Sequence, residues 1–168
     1  MNSVVEIRPL EPDDVDALHE ILRCPGVLPW TIDERDLSRA DVIRAYFTPA
    51  PSRERHERVA VLEGRVVAHG GFAVSLRPRI AHFGTMYIAV HDDAQDRGIG
   101  RRLMTELVSL ADARGLRRLE LNVHADNERA IALYKSLGFV EEGRLREQVR
   151  RDDTYLDSLV MGRLRAST

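Results

Sequence analysis

The pattern of apolar and polar positions along the chain predicts an α/β protein with the element order β-α-α-β-β-β-α-β-α-β-β. Four segments place apolar residues at helical spacing, and they begin near Pro12, Ser38, Leu103 and Asn127. Seven segments are rich in alternating or β-branched apolar residues, and we expect strands at residues 4–8, 58–62, 65–74, 86–90, 119–123, 139–148 and 154–163. No linker-like stretch interrupts this order, so residues 1–168 are predicted to form a single domain.

Composition and charge narrow the class of protein. Of the 168 residues, 43% are hydrophobic and 31% are charged, which is typical of a globular protein with its own core. The net charge of −2 gives no argument for binding nucleic acid or an anionic membrane, and no apolar run approaches the ~20 residues that span a bilayer. Because residues 1–6 also lack the features of a secretory signal, we expect a cytoplasmic protein.

The sequence offers little for redox or metal chemistry. Its single cysteine, Cys24, excludes an internal disulfide framework, and we expect this residue to be a small apolar filler beside Pro25. No spacing of His, Cys, Asp or Glu indicates a metal site, so no metal is expected.

A glycine-containing turn between a predicted strand and a predicted helix carries the strongest chemical signal. Residues 95–102 read Gln-Asp-Arg-Gly-Ile-Gly-Arg-Arg. The first N–H groups of a helix have no partner within the helix, and the helix dipole favours an anion there. Glycines let a phosphate approach the main chain, and arginines add positive charge. We therefore predict a pyrophosphate site made by Gln95, Arg97, Gly98, Gly100, Arg101 and Arg102.

This turn resembles the acetyl-CoA loop of one enzyme superfamily. It lacks the dinucleotide pattern G-x-G-x-x-G and the G-K-[ST] ending of the P-loop, which argues against a nucleotide-binding domain. It matches Q/R-x-x-G-x-G/A, the pattern of the GNAT superfamily of N-acetyltransferases. The later run Asn127-x-x-Ala130-x-x-x-Tyr134-x-x-x-Gly138-Phe139 is similar to the second half of the acetyl-CoA site in that superfamily. The resemblance is close over about residues 59–139 and extends to the whole chain by element order.

The resemblance implies a fold and a set of cofactor contacts. The expected fold is a mixed, mostly antiparallel sheet with helices on both faces and a splay between the two central strands. Main-chain groups of Ile88, Ala89 and Val90 are implied to hold the acyl-pantetheine arm and to supply the oxyanion donor. Asn127 is implied to bond the pantetheine or phosphate portion, although a plain helix N-cap explains it equally simply.

The resemblance also implies the residue that protonates the leaving thiolate. Tyr134 takes this role, because a phenol with a pKa of ~10 stays protonated at neutral pH. The alternative is a half-buried tyrosine that packs its helix onto the sheet. Asn127, Ala130 or Ile131, and Tyr134 fall at helical spacings and share one face.

The acceptor side of the site is less clear from the sequence. His82, before the strand at 86–90, is a candidate for substrate binding or as general base, and Glu120 and His124 are further candidates for the base. An α-amine depends less on a base than a lysine amine does, because its pKa of ~7.7–8.0 leaves an appreciable part of it neutral, whereas a lysine amine at ~10.4 is charged. Trp30 lies in a segment that forms one acceptor wall in the superfamily, and it could contact an apolar side chain there or plug the core.

The resemblance therefore implies an acetyl-CoA-dependent N-acetyltransferase that acts by direct transfer in a ternary complex. Residues 22–27, His82 and residues 143–146 are similar to bacterial members that acetylate free L-amino acids, so we expect a small-molecule α-amine as acceptor. The alternatives are a protein N-terminal, polyamine or antibiotic acetyltransferase, or a non-catalytic acyl-CoA-binding module. No nucleic acid or membrane partner is expected. The sequence does not decide whether the protein forms a homodimer.

Overall fold

The computed structural model describes residues 4–30 and 37–166 and contains one seven-stranded sheet. The strands are β1 (Val5–Pro9), β2 (Arg53–Leu62), β3 (Arg65–Ser75), β4 (Phe83–Val90), β5 (Arg118–His124), β6 (Val140–Arg151) and β7 (Thr154–Leu164). Their order across the sheet is β1-β2-β3-β4-β5-β7-β6. Every neighbouring pair is antiparallel except β4 and β5, which are parallel.

Helices cover both faces of this sheet. They are α1 (Val15–Leu22), α2 (Arg39–Val42), α3 (Ile99–Ala113) and α4 (Glu128–Ser136), and α2 continues as a π-helical turn over Ile43–Phe47. One buried cluster joins α1 and α2 to the sheet, and a larger cluster joins α3 and α4 to it. No helix in the described part of the chain is long and apolar enough to cross a membrane. Cys24 is buried just after α1, as expected of an apolar filler.

The strands β2 and β6 are longer than the hydrophobic pattern predicts. The predicted strand at 58–62 begins five residues earlier, at Arg53, because its charged residues pair with β3 through their main chain. The last hairpin also runs to Arg151, with most side chains of β6 exposed. β6 is an edge strand, where charged side chains discourage pairing with other chains. Polar residues hide both extensions from a search for apolar alternation.

The two central parallel strands separate, as the expected fold requires. β4 pairs with β5 only where Phe83–Thr85 face Arg118–Glu120. Beyond this point β4 continues along β3 as far as Val90, and β5 continues along β7 as far as His124. A gap therefore opens between β4 and β5 toward the carboxyl ends of both strands.

Candidate active site

Main-chain groups line the β4 side of the gap. The N–H of His91 donates to the carbonyl of Val67 on β3, at 2.8 Å. Because main-chain groups alternate between the two sides of a strand, Ala89 also faces β3, whereas Ile88 and Val90 face the gap. The sequence analysis gives Ile88, Ala89 and Val90 the same role, but the structure distinguishes them. The main chains of Ile88 and Val90 can contact a ligand in the gap, whereas the main chain of Ala89 pairs with His69 on β3.

The predicted phosphate loop lies at the mouth of this gap. The side-chain amide of Gln95 donates to the carbonyl of Val90 and to Asp92 Oδ1, both at 3.2 Å, and so fixes the loop to the end of β4. Asp96 and Gly98 both have left-handed backbone conformations, with φ of 58° and 74°. The Gln95 side chain is thereby used to shape the loop, and its predicted contact with the ligand stays a prediction.

The start of α3 provides donors for an anion. Gly98 is the N-cap, and the first helical hydrogen bond runs from the N–H of Arg102 to the Gly98 carbonyl, at 3.1 Å. The N–H groups of Ile99, Gly100 and Arg101 precede this bond and are free for a ligand. A Cβ added at Gly98 would meet no heavy atom within 4 Å, so open space lies beside the main chain there. This cradle lies where the sequence predicts a pyrophosphate site.

Tyr134 lies on α4 within the larger core cluster. Its side chain is 8% exposed, and the ring centroid lies 6.1 Å from that of Phe139. Burial raises the pKa of Tyr134 to about 12. The phenol therefore keeps its proton at neutral pH and is available as a donor.

Comparison with known proteins identifies the family. The family model for the acetyltransferase (GNAT) family matches residues 15–139. This chain belongs to the GNAT acetyltransferases. It is 37% identical over 109 residues to the L-amino acid N-acetyltransferase AaaT of Escherichia coli K12, a match that covers 64% of this chain and 67% of that protein.

One further relative by sequence and one solved structure with the same fold resemble this chain. The [ribosomal protein bS18]-alanine N-acetyltransferase of E. coli K12 is 42% identical over 74 residues, which is 44% of this chain and half of that protein. A phosphinothricin acetyltransferase from Sinorhizobium meliloti, solved in complex with AcCoA, has the same fold, with a TM-score of 0.84 at 24% identity over 95% of this chain and 88% of that one. The protein is an acetyl-CoA-dependent N-acetyltransferase.

The arginines of the GNAT loop point in different directions. Arg97 is exposed beside the cradle. Arg101 donates to Ser136 Oγ on α4, at 2.8 Å. Arg102 donates to the carbonyl of Val5 on β1, at 3.0 Å. Because β2 and β3 separate β1 from β4, the Arg102 guanidinium lies away from the gap, and its predicted role in phosphate binding is corrected.

Arg129 is a residue of the site that the sequence did not reveal. Its guanidinium, in the first turn of α4, lies 3.2 Å from Asp96 Oδ1 and donates to Gln95 Oε1, also at 3.2 Å. It thereby connects the phosphate loop to the helix that carries Tyr134. One signal in the sequence could have pointed to Arg129. A cation in the first turn of a helix is unfavourable with the helix dipole, which indicates a role outside the helix itself.

Asn127 is the N-cap of α4. Its side-chain oxygen accepts a hydrogen bond from the N–H of Ala130, at 3.1 Å. This is the simpler of the two roles that the sequence allowed. The side-chain N–H₂ group of Asn127 is still able to contact the cofactor, and this contact stays a prediction.

Trp30 lies with His124 and Arg151 at the open end of the gap. The Arg151 guanidinium lies over the Trp30 ring, 4.9 Å from its centroid, and donates to the carbonyl of Pro29, at 2.9 Å. His124, at the end of β5, has its ring centroid 5.9 Å from that of Trp30. Burial, together with the Arg151 charge, lowers the pKa of His124. These residues form a wall beside the gap.

The other candidates for a base lie elsewhere. His82 precedes β4, and its carbonyl accepts the N–H of Arg117, at 2.9 Å. Six residues of extended strand, roughly 20 Å, separate it from Ile88 in the open part of the gap. Glu120 accepts a hydrogen bond from Arg118, at 2.8 Å, where β4 and β5 are still paired. The structure does not bring His82 or Glu120 to the gap, which corrects both candidacies.

Proposed function

We propose that the enzyme acetylates the α-amine of a small, amino-acid-like molecule by direct attack within a ternary complex. The observation that carries this proposal is the gap between β4 and β5. Its wall presents main-chain groups that no neighbouring strand pairs, its mouth carries the anion cradle, and its open end is bordered by Trp30. A bound thioester and an acceptor can therefore meet without an acyl-enzyme residue.

The residues that would hold acetyl-CoA follow from this geometry. The N–H groups of Ile99, Gly100 and Arg101 bind the pyrophosphate, and Arg97 and the Arg101 side chain add positive charge. The main-chain groups of Ile88 and the N–H of Val90 hold the pantetheine arm, as amide groups left unpaired in a sheet require partners. Acetyl-CoA supplies the acetyl thioester. A main-chain N–H of Ile88 or Val90 stabilises negative charge on the acetyl carbonyl oxygen.

Tyr134 supplies the proton that the departing sulfur needs. A thiol of ordinary pKa ~8.5 is a better leaving group when it is protonated as it departs. Because its pKa is raised, the Tyr134 phenol stays protonated throughout the neutral pH range. Its buried position on α4 holds the ring in place for this task.

The named acceptors of two relatives support the α-amine as substrate. One relative is an L-amino acid N-acetyltransferase, and the other acetylates an alanine of a ribosomal protein. The net charge of −2 also provides no strong field to attract a polycation such as spermidine. Trp30 offers an apolar surface for the acceptor side chain.

A turnover screen with thiol detection tests the proposal. The acceptors are free apolar amino acids, spermidine, an aminoglycoside and a peptide with an N-terminal alanine. We expect kcat/KM for the best free amino acid to exceed that for spermidine by at least about tenfold. A tenfold preference for spermidine contradicts the proposal, and a preference for the peptide assigns the enzyme to protein N-termini.

A further inference from the structure

A buried carboxylate bridges three strands on the face that α1 and α2 cover. Glu57 on β2 accepts a hydrogen bond from His69 Nε2 on β3, at 2.7 Å, through Oε2. Its other oxygen, Oε1, accepts a short hydrogen bond from the hydroxyl of Tyr87 on β4. The Glu57 side chain is 8% exposed and that of His69 1% exposed. Neither the family motif nor the cofactor site uses these three residues, which we call the Glu57 cluster.

The sheet is built to admit this carboxylate. Gly71 on β3 lies opposite Glu57 on one side and opposite Tyr87 on the other. A Cβ at Gly71 would lie 2.4 Å from Glu57 Oε2, so only glycine leaves room for the side chain to cross β3. Desolvating a carboxylate costs several kcal/mol unless its charge and hydrogen bonds are compensated.

Charged and aromatic groups pack around the Glu57 cluster. Arg55 NH1 lies 3.7 Å from Glu57 Oε1, and the Tyr46 ring packs edge-on against His69, with centroids 4.8 Å apart. Asp14 also faces His69, but its carboxylate is neutralised by Arg8, at 2.7 Å. Burial and the adjacent carboxylate both raise the pKa of Tyr87, so this phenol holds its proton until a substrate ammonium supplies another.

Tyr87 connects the cluster to the active site. It lies two residues beyond Thr85, the last residue of β4 that pairs with β5, and directly before Ile88, whose main chain faces the gap. Its side chain is partly exposed, in contrast to that of His69. Tyr87 is on the face of the sheet next to α1 and α2, and Trp30 lies between those two helices in sequence.

From this geometry we propose that Tyr87 and Glu57, with His69 holding the Glu57 carboxylate in place, form a proton relay that takes a proton from the protonated primary amine of the acceptor. The ammonium N–H bond breaks and its proton moves to Tyr87 Oη, while the proton of Tyr87 moves to Glu57 Oε1. The products are a neutral amine and a neutral carboxylic acid, so charge and protons balance. Tyr87 contacts the substrate directly, and Glu57 and His69 act through Tyr87. The relay rests on the proposed function and supplies the base that the sequence did not reveal.

The test is the pH dependence of kcat/KM for a free α-amino acid, compared among wild type, Glu57→Gln and Tyr87→Phe. At neutral pH both variants should lose about 10²-fold, the usual scale of general-base catalysis. The deficit should shrink at least tenfold as the pH rises above the pKa of the substrate's own ammonium group, because solvent then removes the proton. Glu54→Gln is the matched control, since Glu54 lies on the same strand, is 50% exposed and faces the other side of the sheet.

The outcomes separate the relay from the proposed function. A wild-type pH profile in Tyr87→Phe, or a deficit that stays constant with pH, contradicts the relay while the acetyltransferase assignment stands. Failure of the wild type to acetylate any α-amine contradicts the proposed function and the relay with it. Acetyl-CoA affinity within threefold of wild type shows that each variant is folded, and if Glu57→Gln does not fold, Tyr87→Phe decides alone.

Discussion

Thr85 on β4 and Glu120 on β5 form the last pair between the two parallel central strands. Beyond this pair β4 pairs only with β3 and β5 pairs only with β7. The main chain of Ile88 and Val90 therefore faces an open gap. The phosphate loop follows β4 directly, so the same strand that borders the gap also positions the anion cradle. One interruption in a ladder thus organises the whole proposed cofactor site.

Replacing Gly100 with valine should remove acetyl-CoA binding. A Cβ at this position would lie 3.6 Å from Val90 Cγ2 and 3.8 Å from Ile88 Cδ1 and Leu133 Cδ2, which is ordinary contact. Alanine therefore fits, whereas the two further methyl groups of valine occupy the gap. Titration should give a Kd raised at least about tenfold for Gly100→Val and within about threefold for Gly100→Ala. Equal affinity in a folded Gly100→Val variant removes this loop from the site.

Arg129→Gln should weaken acetyl-CoA binding without unfolding the enzyme. The guanidinium lies on the surface, where an ion pair contributes at most about 1 kcal/mol to stability. Its loss frees the loop at Asp96, so part of the ligand's binding energy must order the loop again. We expect an unchanged Tm within a few degrees and a Kd several-fold higher. Arg150→Gln, at an exposed position near the end of β6, is the control, and equal Kd values for both variants contradict the connecting role of Arg129.

Tyr134→Phe should lower kcat far more than it changes acetyl-CoA affinity. The substitution keeps the packed ring and deletes only the proton donor, whose contribution is typically ~10²–10⁴-fold. The measurements are steady-state kcat and a separate acetyl-CoA titration, with the exposed Tyr155→Phe as control. If kcat stays within threefold of wild type, Tyr134 has the packing role instead.

The raised pKa of Tyr134 also predicts a pH profile. A group with a pKa of about 12 is protonated at all lower pH values and loses its proton only as the pH approaches that value. Activity should therefore show no loss from this group up to about pH 10, where an ordinary phenol is already half ionised. A fall in kcat centred near pH 9, absent from Tyr134→Phe, contradicts the assignment.

The sequence predicted the parts of this enzyme that local order determines. The phosphate loop and α4 are contiguous motifs, so Gly98, Gly100 and Tyr134 could be located directly. The Glu57 cluster could not, because charged residues hide the start of β2 and only the register of three strands brings its members together. The direction of the Arg102 side chain likewise depends on β1, which is distant in sequence.

The central claim is that the gap and the α3 cradle bind acetyl-CoA, and thermal unfolding tests it most directly. A ligand that binds only the folded state adds about 2.7 kcal/mol at a hundredfold excess over Kd. For a domain of this size, that corresponds to a rise in Tm of about 5–10 °C. We predict this rise for the wild type with acetyl-CoA and its loss in Gly100→Val. An unchanged wild-type Tm at millimolar acetyl-CoA would contradict the account.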